Sequence, residues 1–224
     1  MTLLYSVNIC YTQVTGRHQE MIDDMIKGYQ GINEQAVLFL NRGNEDMEKG
    51  SYAEAIDDFT IAIEFEPRFA EAYNNRGIAK RKMNDRAGAL ADFSEALKIN
   101  LNYAECLNNR GNVKLDMKDF SGAIEDYSQS ISINPRQEEA YNNRGLSRMN
   151  LRDYQGAIND FSLAIEINRK FVDAYNNRGL ARYSLKDYVG ALNDFSSAID
   201  IDPEFSMAYS NRGVVKIKVG QKDS

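Results

Sequence analysis

Asparagine recurs every 34 residues along most of this 224-residue chain. Its side-chain amide carries both donors and an acceptor, so a row of such amides could bind the backbone of an extended peptide whatever its side chains. Asparagine is also a mediocre helix former, so its repeated use needs a reason. The alternatives are that these amides bond neighbouring helices or were copied with the repeat unit. The asparagine ladder comprises Asn41, Asn75, Asn109, Asn143, Asn177 and Asn211, doubled by Asn74, Asn108, Asn142 and Asn176.

An arginine follows each asparagine of the ladder, and an aspartate lies 16 residues after most of these arginines. If the chain doubles back between them, we expect a partly buried ion pair that sets the register of the two segments. Basic residues one helical turn beyond the arginine, such as Lys80 and Lys114, could compete for the same aspartate. The predicted structural pairs are Arg76 with Asp92, Arg110 with Asp126, Arg144 with Asp160 and Arg178 with Asp194.

Residues that could carry catalysis are sparse. His18 is the one histidine and has no partner that suggests a triad or a metal site. Cys10 and Cys106 form no CxxC motif, and Cys106 takes a position that other repeats fill with alanine, which indicates packing. No phosphate loop or dinucleotide motif occurs. We therefore predict no enzymatic activity, no cofactor and no metal site.

The charge balance restricts the partners. A net charge of −6 and a pI near 5.0 argue against nucleic acid, which needs a basic surface, and against anionic membrane surfaces. No apolar run reaches the length of a membrane-spanning helix, so we expect no membrane insertion. The N-terminus lacks a basic region and a cleavage pattern. We expect a cytoplasmic protein, with export or membrane association as the open alternative.

Further markers with the same period predict the elements that position these side chains. Alanines such as Ala191 are followed four residues later by an aromatic residue such as Phe195. In that segment the apolar residues have the spacing of an amphipathic helix, with Asp187 as the expected N-cap and Pro203 after its end. Each period thus predicts two helices forming an antiparallel hairpin, and such hairpins must stack to bury their apolar faces.

This pattern resembles the tetratricopeptide repeat. The motif of that family has an aromatic residue before a glycine, then an alanine, an aromatic residue and a second alanine, and here these are Tyr73, Gly77, Ala89, Phe93 and Ala96. The proline that closes the motif is missing in two repeats, at Leu101 and Arg169. The resemblance implies an all-α solenoid, a right-handed superhelix of antiparallel helix hairpins.

The repeat register predicts the domain organisation. Five full repeats are expected, and both ends are expected to deviate from the pattern. Residues 1–35 would form a degenerate N-terminal hairpin or, alternatively, a partly disordered leader joined to one helix over 19–30. Residues 206–224 would form a partial sixth repeat or a C-terminal capping helix, whose apolar residues suggest that this end contacts something or that the chain is part of a longer array. The full repeats are 36–69, 70–103, 104–137, 138–171 and 172–205.

In similar proteins the asparagine region of the first helix lines a concave groove. Relatives that bind the acidic C-termini of chaperones carry lysine and arginine there, whereas this chain has Leu40 and Asn44, and then Glu105 and Asn109. We therefore expect no acidic C-terminal tail as ligand. A negative rim and apolar groove residues favour an extended, neutral to basic segment with apolar anchors. The rim comprises Glu71, Glu105, Glu139 and Asp173, and the apolar groove residues are Leu146, Met149, Leu180 and Tyr183.

Two functions follow from this sequence. The first is a scaffold or adaptor that binds a partner peptide in the groove through the asparagine ladder. The alternative is a structural module that self-associates, or packs into a larger complex, through its ends or convex face. The ladder favours the first and the apolar last helix favours the second.

Overall fold

The computed structural model describes residues 33–220, which form eleven α-helices and no strand. The helices are α1 Glu34–Lys49, α2 Tyr52–Phe65, α3 Ala70–Lys82, α4 Arg86–Ile99, α5 Ala104–Asp116, α6 Phe120–Ile133, α7 Glu138–Asn150, α8 Tyr154–Ile167, α9 Val172–Ser184, α10 Tyr188–Ile201 and α11 Ser206–Gly220. Each odd-numbered helix up to α9 packs most closely with the helix that follows it, and successive hairpins stack. The predicted all-α solenoid is confirmed. None of the described helices is long and apolar enough to cross a membrane.

The first helix of the array starts earlier than the predicted repeat boundary. Helix α1 begins at Glu34, two residues before residue 36, because the side chain of Asn33 accepts a hydrogen bond from the Gln35 amide at 2.8 Å. Residues 1–32 lie outside the described residues, and with them His18, Cys10 and nearly all of the predicted N-terminal hairpin.

An aspartate caps the second helix of four hairpins. Asp187, for example, accepts a hydrogen bond from the Gly190 amide at 2.9 Å, which satisfies one of the free donors at the start of α10. A Cβ on Gly190 would lie 2.1 Å from the Asp187 carboxylate, which accounts for the glycine. The same cap occurs at Asp85, Asp119 and Asp153.

A glycine in the first helix of each hairpin lets the two backbones approach. A Cβ on Gly145 would lie only 2.6 Å from Cε1 of Phe161, which is fully buried on the facing helix. Equivalent approaches join Gly43 to Phe59, Gly77 to Phe93, Gly111 to Tyr127 and Gly179 to Phe195. The aromatic ring therefore fills the space that a side chain on the first helix would otherwise take.

Cys106 is part of the core. Its side chain is fully buried, and its thiol donates to the carbonyl oxygen of Phe93 at 3.4 Å. Burial raises the pKa of the Cys106 thiol to about 12. The thiolate is therefore scarce at neutral pH, as expected of a packing residue.

Candidate functional site

The asparagine ladder forms a row of hydrogen bonds between successive repeats. In each bond the Nδ2 atom of a ladder residue donates to an asparagine Oδ1 of the preceding repeat. The pairs are Asn75 to Asn44 at 2.8 Å, Asn109 to Asn74 at 3.1 Å, Asn143 to Asn112 at 3.0 Å, Asn177 to Asn142 at 3.0 Å and Asn211 to Asn176 at 2.8 Å. The ladder thus joins neighbouring first helices, whatever else its amides bind.

Three of the four doubled asparagines lie deeper than the ladder. Asn74, Asn142 and Asn176 are buried, whereas Asn109 and Asn177 are half-buried. Asn142 and Asn176, predicted as groove contacts, therefore act mainly as acceptors between helices. Asn108 differs again, because its Oδ1 atom is buried and accepts no hydrogen bond from the described residues.

The acceptor atoms of the ladder fall into two groups. Oδ1 of Asn75 and Oδ1 of Asn143 accept hydrogen bonds from Asn74 and Asn142, at 3.1 and 3.2 Å. Within the described residues, no hydrogen bond reaches Oδ1 of Asn109 or Asn177. An amide nitrogen has two donors, and the inter-repeat bond uses one of them. These two ladder residues thus keep an acceptor and a donor for a ligand.

A cavity of about 400 Å³ opens between α9 and α11 beside the last rungs of the ladder. It is lined by amides, hydroxyls, apolar side chains and one carboxylate. Its lining residues are Asp173, Asn176, Asn177, Leu180, Ser206, Met207, Ser210 and Asn211. Asn177 and Leu180, both predicted as groove residues, therefore border the same space.

The other predicted apolar groove residues are half-buried. Leu146 and Met149 pack against a cluster that includes Phe161, so only part of each side chain reaches the surface. The ring of Tyr183 lies 5.7 Å from that of Tyr188, and Tyr183 also lines a small cavity with Leu180. These side chains therefore pack within their hairpins and also form part of the surface. Of the predicted negative rim, Glu105, Glu139 and Asp173 are exposed.

Each predicted arginine and aspartate is in contact across its hairpin. Arg144 donates to Asp160 from Nε at 3.0 Å and from Nη2 at 2.7 Å, and the Asp160 side chain is 1% exposed. Arg148 also donates to Oδ2 of Asp160 at 2.8 Å, so the second cation shares the carboxylate instead of competing for it. The pairs Arg76 with Asp92, Arg110 with Asp126 and Arg178 with Asp194 have the same geometry. Asp126 raises the pKa of Arg110 through these hydrogen bonds.

The arginines also connect neighbouring repeats. Arg144 on α7 donates from Nη1 to the Ser128 hydroxyl on α6 at 3.1 Å, while its guanidinium lies 5.5 Å from the centre of the Tyr141 ring. Arg76 and Arg178 make the same bond to Thr60 and Ser162. One guanidinium therefore joins three helices. The sequence pattern did not predict this link to the preceding repeat.

A second missed feature is the pair of Tyr127 and Asn112. Tyr127 takes the place that phenylalanine fills in the other hairpins, and its hydroxyl donates to Oδ1 of Asn112 at 2.7 Å. Burial raises the pKa of the Tyr127 phenol. The sequence carries only a partial signal for this pair. Two repeats with phenylalanine have Leu146 or Leu180 where this repeat has Asn112, but the repeat with Phe59 has Asn44 there. Asn143 also donates to Asn112, which explains why Asn108 is left without this bond.

We predict a measurable coupling between these two residues. Asn112→Leu is expected to destabilise the protein by about 1 kcal/mol or more, because it removes the acceptor of both the buried Tyr127 hydroxyl and the Asn143 amide. Adding Tyr127→Phe removes that hydroxyl and should recover its share of the loss, since Leu146 and Phe161 already form this combination. Urea unfolding of the single and double variants measures the coupling. Additive losses would show that the hydrogen bond has no such role.

Family models match most of the described chain. The model described as tetratricopeptide repeat matches residues 104–137, 138–171 and 172–205, and a second model of that description matches 70–103. A model described as TPR repeat matches 43–84. No curated protein matches the sequence.

Solved structures share the fold. YrrB, described as a TPR protein with an unusual peptide-binding site, has a TM-score of 0.70 and 21% identity, covering 84% of this chain and 97% of that one. MamA from Desulfovibrio magneticus RS-1 has a TM-score of 0.72 and 19% identity, covering 78% and 99%. The Arabidopsis OM64 TPR domain has a TM-score of 0.51 and 30% identity, covering 51% and 95%.

Proposed function

Because the chain belongs to the tetratricopeptide repeat family, we propose that it is a protein-interaction scaffold that binds an extended peptide along the asparagine ladder. The cavity between α9 and α11 is the observation that carries this proposal, since it joins ladder amides to an apolar side chain. YrrB, which shares the fold, is described as having a peptide-binding site. The role is binding and not catalysis.

The chemistry of the face suggests how a peptide is held. Oδ1 of Asn177 accepts a backbone N–H of the ligand, and the free N–H of the same amide donates to a backbone carbonyl. Leu180 and Met207 contact an apolar side chain of the ligand. Asp173 adds a negative charge at the edge of the cavity, which attracts a basic segment and repels an acidic one.

Peptide selection with matched variants tests this proposal. Extended peptides are first selected from a random library with the wild-type protein. Their affinities are then measured for the wild type and for Leu180→Arg, which places charge and bulk in the cavity. Leu163→Arg is the control, because Leu163 is exposed on α8 and lines a different cavity with Pro135 and Tyr141. We expect an affinity loss of about ten-fold or more for Leu180→Arg and little change for the control. Equal affinity of all three proteins would disprove binding along the ladder.

A further inference from the structure

Helix α5 carries an amide at the position where α7 and α9 carry leucine. Asn112 corresponds to Leu146 and Leu180, and Leu180 lines the cavity between α9 and α11. The Oδ1 atom of Asn112 accepts from the Tyr127 hydroxyl at 2.7 Å and from Nδ2 of Asn143 at 3.0 Å. Both lone pairs of this oxygen are therefore used, and the orientation of the Asn112 amide is fixed.

The nitrogen of the same amide has no partner among residues 33–220. Nδ2 of Asn112 donates to none of these residues and is not buried, because Oδ1 of Asn108 is the one buried side-chain atom in this range without a partner. One turn earlier on α5, Oδ1 of Asn109 accepts no hydrogen bond from this range either. Side chains three residues apart share a helix face. Helix α5 thus offers free donors and a free acceptor side by side.

The position of Asn112 leaves a buried atom of α5 unsatisfied. Asn177 donates to Asn142, the doubled asparagine of the preceding repeat, at 3.0 Å. Asn143 donates to Asn112 instead, so Oδ1 of Asn108 is buried without a donor from the described residues. A buried acceptor without a donor is destabilising. Local arrangements that lower stability are found mainly at functional sites, which favours a ligand contact on α5.

The asparagine at the equivalent position of α1 is held less firmly. Asn44 accepts a hydrogen bond from the next repeat, but Phe59 takes the place of Tyr127 on the facing helix and has no hydroxyl to donate. Glu105 of α5 is exposed one turn before the asparagine ladder, and Val37 takes its place on α1. Helix α5 therefore combines a fixed amide, a free acceptor and a carboxylate, which α1 does not.

We propose, resting on the peptide binding proposed above, that α5 selects an asparagine or glutamine side chain of a peptide from another protein. The carboxamide oxygen of the peptide accepts from Nδ2 of Asn112, and the carboxamide nitrogen donates to Oδ1 of Asn109. A carboxamide matches this pair because it has a donor and an acceptor in one plane. An acidic side chain is repelled by Glu105, and a lysine or arginine has no acceptor for Asn112.

The spacing of the first helices sets the rest of the peptide motif. Neighbouring first helices such as α5 and α7 are in contact, and helices in contact lie about 8–10 Å apart. An extended peptide rises about 3.3 Å per residue, so it advances about three residues per repeat. The carboxamide is therefore expected about six residues from the apolar side chain that contacts Leu180 on α9.

The charge of the groove favours a peptide from another protein over residues 1–32 of the chain. In that range the acidic residues Glu20, Asp23 and Asp24 outnumber the basic residues Arg17 and Lys27. A segment of this composition does not complement the negative rim of the groove.

Peptide selection on the full-length protein tests this specificity. Peptides enriched from a random library should carry asparagine or glutamine at one position, about six residues from an apolar residue. Synthetic versions of the tightest peptide then carry glutamine, glutamate or leucine at that position. We expect the glutamate and leucine versions to bind about ten-fold more weakly, because they lose one or both hydrogen bonds to α5.

A double variant exchanges the amide for an apolar contact. Asn112→Leu with Tyr127→Phe reproduces the combination of Leu146 and Phe161 in the next repeat, so we expect the variant to fold, as its melting curve checks. The leucine peptide should bind this variant at least as tightly as the glutamine peptide does. Asn44→Leu is the matched control, and it should leave the ratio of the two affinities unchanged.

Several results would overturn the proposal. These are a library without enrichment of asparagine or glutamine, and an unchanged ratio of the two affinities in the double variant. A shift with Asn44→Leu as large as that of the double variant would assign the contact to α1. A synthetic peptide of residues 1–32 that binds with the same preference would make the occupant a segment of the chain itself. Failure of peptide binding along the ladder is recognised separately, because Leu180→Arg would then leave all affinities unchanged.

Discussion

Replacing Asp160 with alanine is expected to lower the free energy of unfolding by about 3–5 kcal/mol, because it removes one partner of a buried ion pair. The Asp160 side chain is 1% exposed and binds two guanidinium groups. Arg144, whose side chain is 14% exposed in the intact protein, would lose its counter-charge. It would lie beside a second cation, Arg148, whose remaining ion pair is the longer contact with Asp153 at 3.8 Å. The loss is therefore mainly the cost of an uncompensated charge. Urea unfolding followed by circular dichroism measures it.

The control for Asp160 is an exposed ion pair of the same protein. Lys98 and Glu95 are bonded at 2.7 Å, but their side chains are 72% and 41% exposed. Glu95→Ala should leave the stability nearly unchanged, because water screens this pair. A similar loss for Glu95→Ala and Asp160→Ala would show that the buried pairs do not hold the hairpins together.

Adding one methyl group at Gly145 should destabilise the protein by about 2 kcal/mol. The new Cβ would lie 2.6 Å from Cε1 of Phe161, whose fully buried ring has no space to withdraw. Overpacking of this kind costs about 3 kcal/mol at the upper end of its usual range. The gain in helix propensity from glycine to alanine offsets about 1 kcal/mol of that loss. Urea unfolding of Gly145→Ala measures the net effect.

Gly213 provides the matched control, since it has the same place in its repeat but faces no ring of residues 33–220. Gly213→Ala should stabilise the protein by about 1 kcal/mol through helix propensity alone. The two substitutions are chemically identical, so their difference reports the contact with Phe161. If Gly145→Ala is as stabilising as Gly213→Ala, the ring does not need the glycine.

These contacts bear on function because they set the spacing of the ladder. Arg144 joins α6, α7 and α8, and Asn143 joins α7 to the preceding repeat. Successive hairpins are therefore held in one register by side-chain bonds as well as by apolar packing. Under the proposed function, a ladder held in one register would lower the ordering cost of binding an extended peptide.

Much of the fold could be read from periodic residues. Asp187 predicted a helix start and caps α10, and the interval between Arg144 and Asp160 predicted a contact across the hairpin. Such features were predictable because they arise within one hairpin, where sequence distance sets spatial distance. The partner of Arg148 could not be predicted in this way, because two cations near one candidate anion suggest competition. In the structure the two oxygens of Asp160 accept hydrogen bonds from both arginines.

The candidate site was predictable only in part. The ladder follows from the recurrence of asparagine, but the partner of each amide depends on the neighbouring helix. Asn143 donates to Asn112, and Asn75 donates to Asn44, whereas Asn177 donates to Asn142. The difference arises because the repeat before Asn177 has Leu146 at the position that Asn44 and Asn112 take in their repeats. Burial of Asn142 likewise depends on how closely adjacent helices approach.

The sequence by itself determined the repeat, the hairpins, the caps and the residue types along each helix face, since these follow from spacing within 34 residues. Tertiary structure decided which amide atoms bond between repeats and which have no partner among the described residues. The physical reason is that hydrogen bonding and burial are settled by neighbours from adjacent repeats. Gly213 shows this most clearly, because it has the same sequence motif as Gly179 but no described residue covers it with a ring.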